Sequence, residues 1–185
     1  MALLEILKYP HPLLKKRASA VGAADSSIKS LMEDMLETMY HNKGVGLAAN
    51  QVGVDKRVIV LDAPKVEIDT EIAEGKPEGK EVERVILKLV NPEVAGVSGE
   101  IRYEEGCLSL PGITAYVKRD KNMVVKAQDE DGRNVEINAS GLISIVLQHE
   151  IDHINGILFV DRLSRLRREL ILRKFKKAME AERVL

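Results

Sequence analysis

The sequence predicts an α+β fold in which mixed or antiparallel strands surround a buried central helix. One helix precedes this arrangement near the N-terminus, and an amphipathic helix follows it at the C-terminus. Two observations carry the prediction. Segments rich in branched residues, typical of strands, occur repeatedly before Gly141. After Gly141 the apolar spacing becomes helical and covers two faces, which indicates a buried helix in an α+β domain.

The elements follow in chain order. Asp25 and Ser26 can cap a first helix, whose apolar residues recur at spacings of three and four: Leu31, Met35, Leu36 and Met39. Strands are predicted at residues 57–62 and 84–94 because both segments are rich in branched side chains. Residues 123–140 form a predicted hairpin around Asp131-Gly132, a favoured turn pair.

Two helices complete the prediction. In the buried helix after Gly141, one face carries Leu142, Ile145, Val146, His149 and His153, and a second carries Ile143, Leu147, Ile151 and Ile154. The last helix, at about 163–182, is amphipathic, and we expect it to pack Leu163, Leu166, Leu170 and Phe175 on the body.

Length and composition limit the function classes. A chain of 185 residues fits a single domain. With 28 Lys+Arg and 29 Asp+Glu the net charge is −1, so no overall basic field favours DNA or a membrane as partner. The N-terminus lacks the order of a secretory signal, and the longest apolar stretch, about 142–147, is too short to span a bilayer. The sequence therefore predicts a cytoplasmic protein.

Charge is distributed unevenly along the chain. Residues 62–84 hold eight acidic and four basic residues, which predicts an exposed acidic insertion at about 64–83 between two strands. Residues 162–185, which contain the last helix, hold nine Lys+Arg and three Glu, a net charge of 9 − 3 = +6. A solvated basic face is the simplest interpretation of this helix.

The sharpest motif is HEIDH at residues 149–153 on the buried helix. His149 and His153 are four residues apart, so both imidazoles project to one side and can hold one metal ion. Glu150 is rotated by about 100° from His149, which places its carboxylate beside the ion, where it can take a proton from a metal-bound water. Burial of these charged groups without a metal or polar partners would be costly.

A third ligand is needed, and the residues alone leave it open. The metzincin pattern fails, because Phe159 stands where its last histidine belongs. A gluzincin-type carboxylate would have to be Asp161, Glu169, Glu180 or Glu182. Cys107, the only cysteine, is the better candidate because a thiolate and imidazoles together suit a late divalent transition metal. The commonest state of a lone cysteine is that of a small buried apolar residue, and spacing alone leaves the two interpretations even.

A third segment, GVGLAANQVG at residues 44–53, concentrates glycine and alanine before Gln51. Nothing bulky there would block the approach of another backbone. By itself the segment indicates a tight loop after the first helix, and it lacks the Lys-Ser/Thr of a phosphate-binding loop.

Together GVGLAANQ, EGCLS and QHEIDH, in this order and at these separations, closely resemble the three signature motifs of peptide deformylases. YPHPLLKKRA near the start and NGILFVDR after the third motif are similar to the corresponding family segments, so the resemblance covers most of the chain. It implies one deformylase-like domain over residues 1–185. It also implies an enzyme that removes the formyl group from N-formyl-methionyl peptides and releases formate.

The resemblance implies roles for the motif residues. Cys107, His149 and His153 would bind the metal, with water as the fourth ligand. Glu150 would be the general base and then protonate the departing amine. Gln51 and the Leu108 N–H would stabilise the oxyanion. The implied physiological metal is Fe²⁺, with Zn²⁺, Ni²⁺ or Co²⁺ able to occupy the same site.

The resemblance also implies how substrate is held. Gly46 would offer main-chain hydrogen bonds to the peptide, and a methionine pocket would be lined by Val45, Tyr103, Leu142, Ile145 and Val146. Thr114 stands where some relatives have Arg, which leaves contacts beyond methionine undefined. The partners implied are formylated nascent peptides and, through the basic C-terminal helix, ribosomal RNA phosphates. Two alternatives remain open: a zincin-type endopeptidase and a non-catalytic binder of formylated N-termini.

Overall fold

The structure, a computed structural model, describes residues 2–66 and 83–182. Its strands are β1 (Gly46–Ala48), β2 (Val58–Pro64), β3 (Arg84–Ser98), β4 (Ile101–Cys107), β5 (Leu110–Arg119), β6 (Asn122–Gln128) and β7 (Asn134–Ser140). Its α-helices are α1 (Ser26–His41), α2 (Gly141–Ile154) and α3 (Arg165–Glu182). Short 3-10 helices span Pro12–Lys15, Ala49–Val52 and Phe159–Arg162. The predicted α+β class is confirmed.

The strands form two antiparallel sheets. A five-stranded sheet has the order β1-β2-β3-β6-β7, and β4 pairs with β5 in a separate hairpin. The register of this hairpin shifts between Gly106 and Cys107, so that Cys107 pairs with Leu110 at the turn. Cys107 thus lies at the end of β4, at an irregularity in the strand pairing.

Helix α1 begins as the sequence predicts. The Asp25 carboxylate accepts hydrogen bonds from the main-chain N–H groups of Ser27 and Ile28, so Asp25 is the cap and Ser26 is the first helical residue. The helix buries an apolar face that packs on the sheet: Ile28, Met32, Met35, Leu36 and Met39. It ends shortly before the Gly-rich segment and so delivers that segment to the edge of the sheet.

The predicted strands and hairpin are present as β2, β3 and the pair β6–β7, with Gly132 in the connecting turn at φ 78°. Sequence reasoning did not identify β1, β4 and β5 as strands. Their segments contain Gly46, Gly106, Pro111 and Gly112, which weaken the strand pattern. Most of the predicted acidic insertion at 64–83 lies outside the described residues.

Helix α2 lies between the two sheets. One side packs with the five-stranded sheet through Ile143, Val146, Leu147, Ile151 and Ile154. Ile145, on another side, packs with Ile101 and Tyr103 of β4. Contacts on two sides bury most of the helix, including Glu150, Asp152 and His153. Sequence alone explains this burial, because apolar residues occur on two of the helix faces.

Helix α3 packs differently from the prediction. Phe175 is buried and Leu163 is partly buried against the same cluster, but Leu166 and Leu170 are 68% and 55% exposed. The packed face is formed instead by Ile171, Leu172, Phe175 and Met179. The expectation for Leu166 and Leu170 was wrong because several apolar stripes compete on this helix, and the chain that precedes α3 determines which one meets the body. Within the described residues, no helix has both the length and the apolar character needed to cross a membrane.

Gly156 lets the chain leave α2 in a tight space. Its φ is 74°, and a Cβ there would lie 2.6 Å from the carbonyl oxygen of Lys15. We expect Gly156→Ala to lower the free energy of unfolding by about 2–4 kcal/mol, because a strained backbone is combined with a clash against main chain. Denaturant unfolding measures the loss.

Gly53→Ala is the matched control. Gly53 has a φ of 83°, yet nothing lies within 4 Å of a Cβ built there. We expect this variant to lose only about 1–2 kcal/mol, the conformational cost alone. Equal losses in the two variants would contradict the role given to the Lys15 contact.

Candidate active site

Two histidines of α2 and the cysteine of β4 meet at one point. Cys107 Sγ lies 3.2 Å from His153 Nε2, which is 3.2 Å from His149 Nε2. All three ligand atoms lie within 4.8 Å of one another, and among the described residues this is the one group of Cys, His and acidic side chains so arranged. The grouping favours Cys107 over a downstream carboxylate as the third donor.

The spacing of these atoms fits a metal ion. Ligands about 2.0–2.3 Å from a tetrahedral ion lie about 3.3–3.8 Å apart, close to the observed separations. One thiolate and two imidazoles are donors that late divalent transition metals accept. The residues present therefore fit a metal ion bound by three protein ligands.

A chain of buried charges fixes His149. Its Nδ1 lies 2.8 Å from Glu105 Oε2, and Glu105 receives two hydrogen bonds from Arg119, at 2.6 and 2.9 Å. Arg119 also donates to Asp152 at 2.6 Å, and Asp152 accepts two further hydrogen bonds from Arg162. With Nδ1 turned to a carboxylate, His149 presents Nε2 to the cluster.

The electrostatics favour an anionic sulfur and an anionic Glu105. Burial raises the pKa of Cys107, but His153 and His149 outweigh it and hold that pKa well below its usual range. Burial likewise raises the pKa of Glu105, yet hydrogen bonds from Arg119 and His149 bring it to about 2. Burial lowers the pKa of His149, whereas hydrogen bonding to Cys107 and Glu105 raises it well above its usual value. The lowered pKa favours the thiolate form of Cys107, which is the form that binds metals.

Glu150 is buried beside the cluster and in contact with the Gly-rich segment. A Cβ on Gly46 would lie 2.8 Å from Cδ of Glu150, so only glycine fits there. Glu150 Oε2 is buried and has no hydrogen-bond partner among the described residues. Burial raises the pKa of Glu150 to about 7, although His149 and His153 act in the opposite direction. Its carboxylate can therefore gain or lose a proton near neutral pH.

The side chain of Gln51 is oriented toward the cluster. Its Oε1 accepts a hydrogen bond from the Ala48 N–H at 2.9 Å, which turns Nε2 the other way. Nε2 donates to Ser109 Oγ at 3.2 Å and lies 3.5 Å from Cys107 Sγ. A neutral donor thus stands next to one of the three ligand atoms.

A cavity of about 660 Å³ opens onto these groups. Its walls contain every predicted catalytic, metal and substrate residue except His153: Val45, Gly46, Gln51, Tyr103, Cys107, Leu108, Leu142, Ile145, Val146, His149 and Glu150. His153 lies behind the surface, where its ring is buried and its carbonyl accepts a hydrogen bond from Asn50. The cavity also reaches Thr114, whose hydroxyl donates to Glu104 at 2.9 Å.

Sequence reasoning missed several residues that support the site. Glu105 lies two residues before Cys107 and Asp152 directly before His153, and burial of the HEIDH helix signals that Asp152 needs a cationic partner. Arg119 and Lys8 are distant in sequence from the motifs, and no local pattern distinguishes them from surface residues. Asn50 and Ser109 are small polar residues inside the motifs, where the sequence pattern indicates roles for their neighbours only.

Comparison with known proteins agrees with this geometry. The family model described as polypeptide deformylase matches residues 3–169. The peptide deformylase of Thermodesulfovibrio yellowstonii is 46% identical over 176 residues, covering 95% of this chain and 98% of that protein. The peptide deformylase of Aquifex aeolicus is 42% identical over 179 residues, covering 97% of this chain and 98% of that protein.

Solved structures give the same result. The crystal structure of peptide deformylase from Ehrlichia chaffeensis superposes with a TM-score of 0.83 at 37% identity, covering 96% of this chain and 97% of that one. The peptide deformylase from Legionella pneumophila gives a TM-score of 0.80 at 41% identity, with 98% of each chain covered. The chain therefore belongs to the polypeptide deformylase family and is a hydrolase of the peptide deformylase class.

Proposed function

We propose that this enzyme hydrolyses the N-terminal formyl group of formyl-methionine on newly synthesised polypeptides and releases formate. The observation that carries the proposal is the convergence of Cys107, His149 and His153 beside the buried Glu150 in one cavity. A zincin-type peptidase would require a downstream carboxylate in that group, and among the described residues the group has none. A non-catalytic binder would not require a buried carboxylate next to the ligands.

The proposed metal ligands are Cys107, His149 and His153. A metal ion held by them would supply Lewis acidity, which lowers the pKa of water and polarises a carbonyl group. The family resemblance favours Fe²⁺, and the donor set also accepts Zn²⁺, Ni²⁺ or Co²⁺. Glu105 supports the arrangement, because its carboxylate holds Nδ1–H of His149 and leaves Nε2 free to coordinate.

Glu150 is the proposed general base and acid. Burial disfavours its ionised form and brings its pKa to about 7. At neutral pH its carboxylate takes a proton from the attacking water and later gives that proton to the departing amine. The contact with Gly46 fixes the carboxylate beside the ligands, so the proton moves over a short distance.

Gln51 and the main-chain N–H of Leu108 are the proposed oxyanion donors. Both residues line the cavity. The Ala48 N–H orients the Gln51 amide, and Nε2 lies near Cys107, where the formyl oxygen would develop negative charge. Donors that are already in place need no reorganisation during the reaction.

The substrate chain is proposed to bind along β1. This strand lies at the edge of the described five-stranded sheet and pairs with β2 on one side. A peptide can add as a further strand and use the main chain of Gly46. The methionine side chain would enter the apolar part of the cavity, lined by Val45, Tyr103, Leu142, Ile145 and Val146. Val45 is 43% exposed and forms the rim of this pocket.

Three broader predictions concern the domain organisation, the location and the ribosome as a partner. A single domain over residues 1–185 and a cytoplasmic location stay predictions. Docking of α3 on the ribosome is proposed from its basic sequence, since emerging chains carry the formyl group. Its exposed Leu166 and Leu170 leave an additional apolar surface on the same helix for contact.

The activity and its two central groups are tested together. Protein purified anaerobically is assayed for bound metal and for formate released from formyl-Met peptides. We expect Cys107→Ala to lose most metal and activity, because a thiolate donor is removed. We expect Glu150→Gln to keep the metal and lose about 10²–10⁴-fold in kcat, because the proton carrier is lost.

Three outcomes would contradict parts of this proposal. A wild-type protein that binds metal but releases no formate would exclude the activity. Full metal content and turnover in Cys107→Ala would exclude the cysteine as a ligand. Normal turnover in Glu150→Gln would exclude the carboxylate as the base.

The role of Glu105 is tested by metal affinity. We expect Glu105→Gln to bind metal about 10–100-fold more weakly, since a neutral amide holds His149 less firmly than a carboxylate does. Glu104→Gln is the control, because Glu104 is exposed and bonded to Thr114 rather than to a ligand. Competition with a chelator measures both affinities, and equal values in the two variants would refute the supporting role.

Ribosome docking is tested by co-sedimentation at low and high salt. Arg167 and Arg173 lie on α3, and we expect reversal of both to Glu to weaken co-sedimentation by about tenfold or more at low salt. Reversal of Lys126 and Arg133, on the β6–β7 hairpin, is the charge-matched control. Unchanged sedimentation of the α3 variant would remove this hypothesis.

A further inference from the structure

The segment of residues 7–9 joins the two motif segments that carry the proposed oxyanion donors. The Leu7 N–H donates to the carbonyl of Gln51 at 2.7 Å, and the Tyr9 N–H donates to the carbonyl of Ser109 at 3.0 Å. One short piece of chain therefore ties the Gly-rich segment to the turn that follows Cys107. Gln51 and Ser109 are also linked directly, by the hydrogen bond from Nε2 to Oγ.

The side chain of Lys8 adds a further hydrogen bond between the segment of residues 7–9 and the turn that follows Cys107. Its Nζ donates to the carbonyl oxygen of Leu108 at 2.5 Å, and the side chain lines the cavity. Burial lowers the pKa of Lys8, while the nearby Cys107 sulfur acts in the opposite direction. No carboxylate among the described residues pairs with this ammonium. A partly buried cation without a carboxylate is a costly way to hold one carbonyl, which points to a role beyond stability.

These hydrogen bonds restrict the main chain of Leu108, whose N–H is a proposed oxyanion donor. Leu108 lies between Cys107, whose sulfur belongs to the ligand group, and Ser109, whose carbonyl is held by Tyr9. With Lys8 on its own carbonyl, the peptide plane that follows Leu108 is held, and the plane that precedes it starts from Cys107, whose sulfur belongs to the ligand group. Because the backbone has only two soft dihedral angles per residue, anchoring the chain on both sides restricts the direction of the Leu108 N–H.

We propose that Lys8 is a positioning residue that aims the Leu108 N–H at the developing oxyanion. The inference rests on the proposed deformylase function. It assigns to Lys8 no contact with the reacting atoms: the ammonium acts through the Leu108 carbonyl. A pure stability role would lower the free energy of unfolding without a selective loss of kcat, and a substrate-binding role would raise KM.

Lys8→Met tests the proposal, because it keeps the length of the side chain and removes the charge and the donor. We expect kcat for formate release to fall about tenfold to a hundredfold. This loss does not exceed the loss in kcat that is expected when a whole oxyanion donor is removed. KM should stay within about twofold and metal content should match the wild type. Hydrogen exchange measured on peptides covering residues 104–112 should become faster in this segment alone.

Two further variants complete the set. Lys8→Arg retains a charged donor and should recover most of the lost kcat. Lys16→Met is the matched control, because Lys16 belongs to the same N-terminal region but pairs with Asp55 at the surface. It should behave as the wild type in every assay. If Lys8→Met does not fold, Lys8→Leu, which also removes the charge and the donor, takes its place with the same expected loss.

The outcomes separate this inference from the proposed function. Wild-type kcat in Lys8→Met, or a rise in KM with kcat unchanged, would overturn the positioning role. A wild type that releases no formate would overturn the function instead. The hydrogen-exchange comparison would still report whether Lys8 holds the Leu108 segment, and unchanged exchange in Lys8→Met would overturn the inference by itself.

Discussion

The buried charge chain of Glu105, Arg119 and Asp152 is the constraint on which the site depends. It joins β4, β5 and α2, so each of the elements that carry the proposed metal ligands is tied to the same guanidinium. The Arg119 side chain is fully buried, and Glu105 and Asp152 are almost so. Such a group is stable only when its hydrogen bonds are made in good geometry. That requirement sets the distance between the hairpin and the helix, and with it the distance between Cys107 and the histidines.

Close approach is the second constraint. The small residues of the Gly-rich segment leave room for side chains: Glu150 lies against Gly46, and a Cβ on Gly44 would lie 2.9 Å from Cδ1 of Leu108. Sequence reasoning anticipated the approach of another backbone. The structure assigns this space to a carboxylate and a leucine of the other two motifs. The three motifs are thus pieces of one packed unit, and none of them is complete without its neighbours.

The limits of sequence reasoning follow from the range of each interaction. The pairing of His149 with His153 is local, so helix geometry was enough to predict it. Cys107 was one of several candidates until the order of three motifs was considered together. Arg119 could not be found, because its partners lie on other elements and its own neighbours resemble any exposed strand. The face of α3 was misassigned for Leu166 and Leu170, since the chain before the helix selects the face that packs.

The short length of β1 has a consequence for self-association. An unpaired strand edge is a template on which other copies of a protein can stack into aggregates. Among the described residues, the outer edge of β1, along which we propose that the substrate binds, is only three residues long, Gly46–Ala48. It offers enough main chain to hold the end of one extended polypeptide and too little to support a growing intermolecular sheet. A short edge strand is one of the devices by which proteins limit edge-to-edge aggregation.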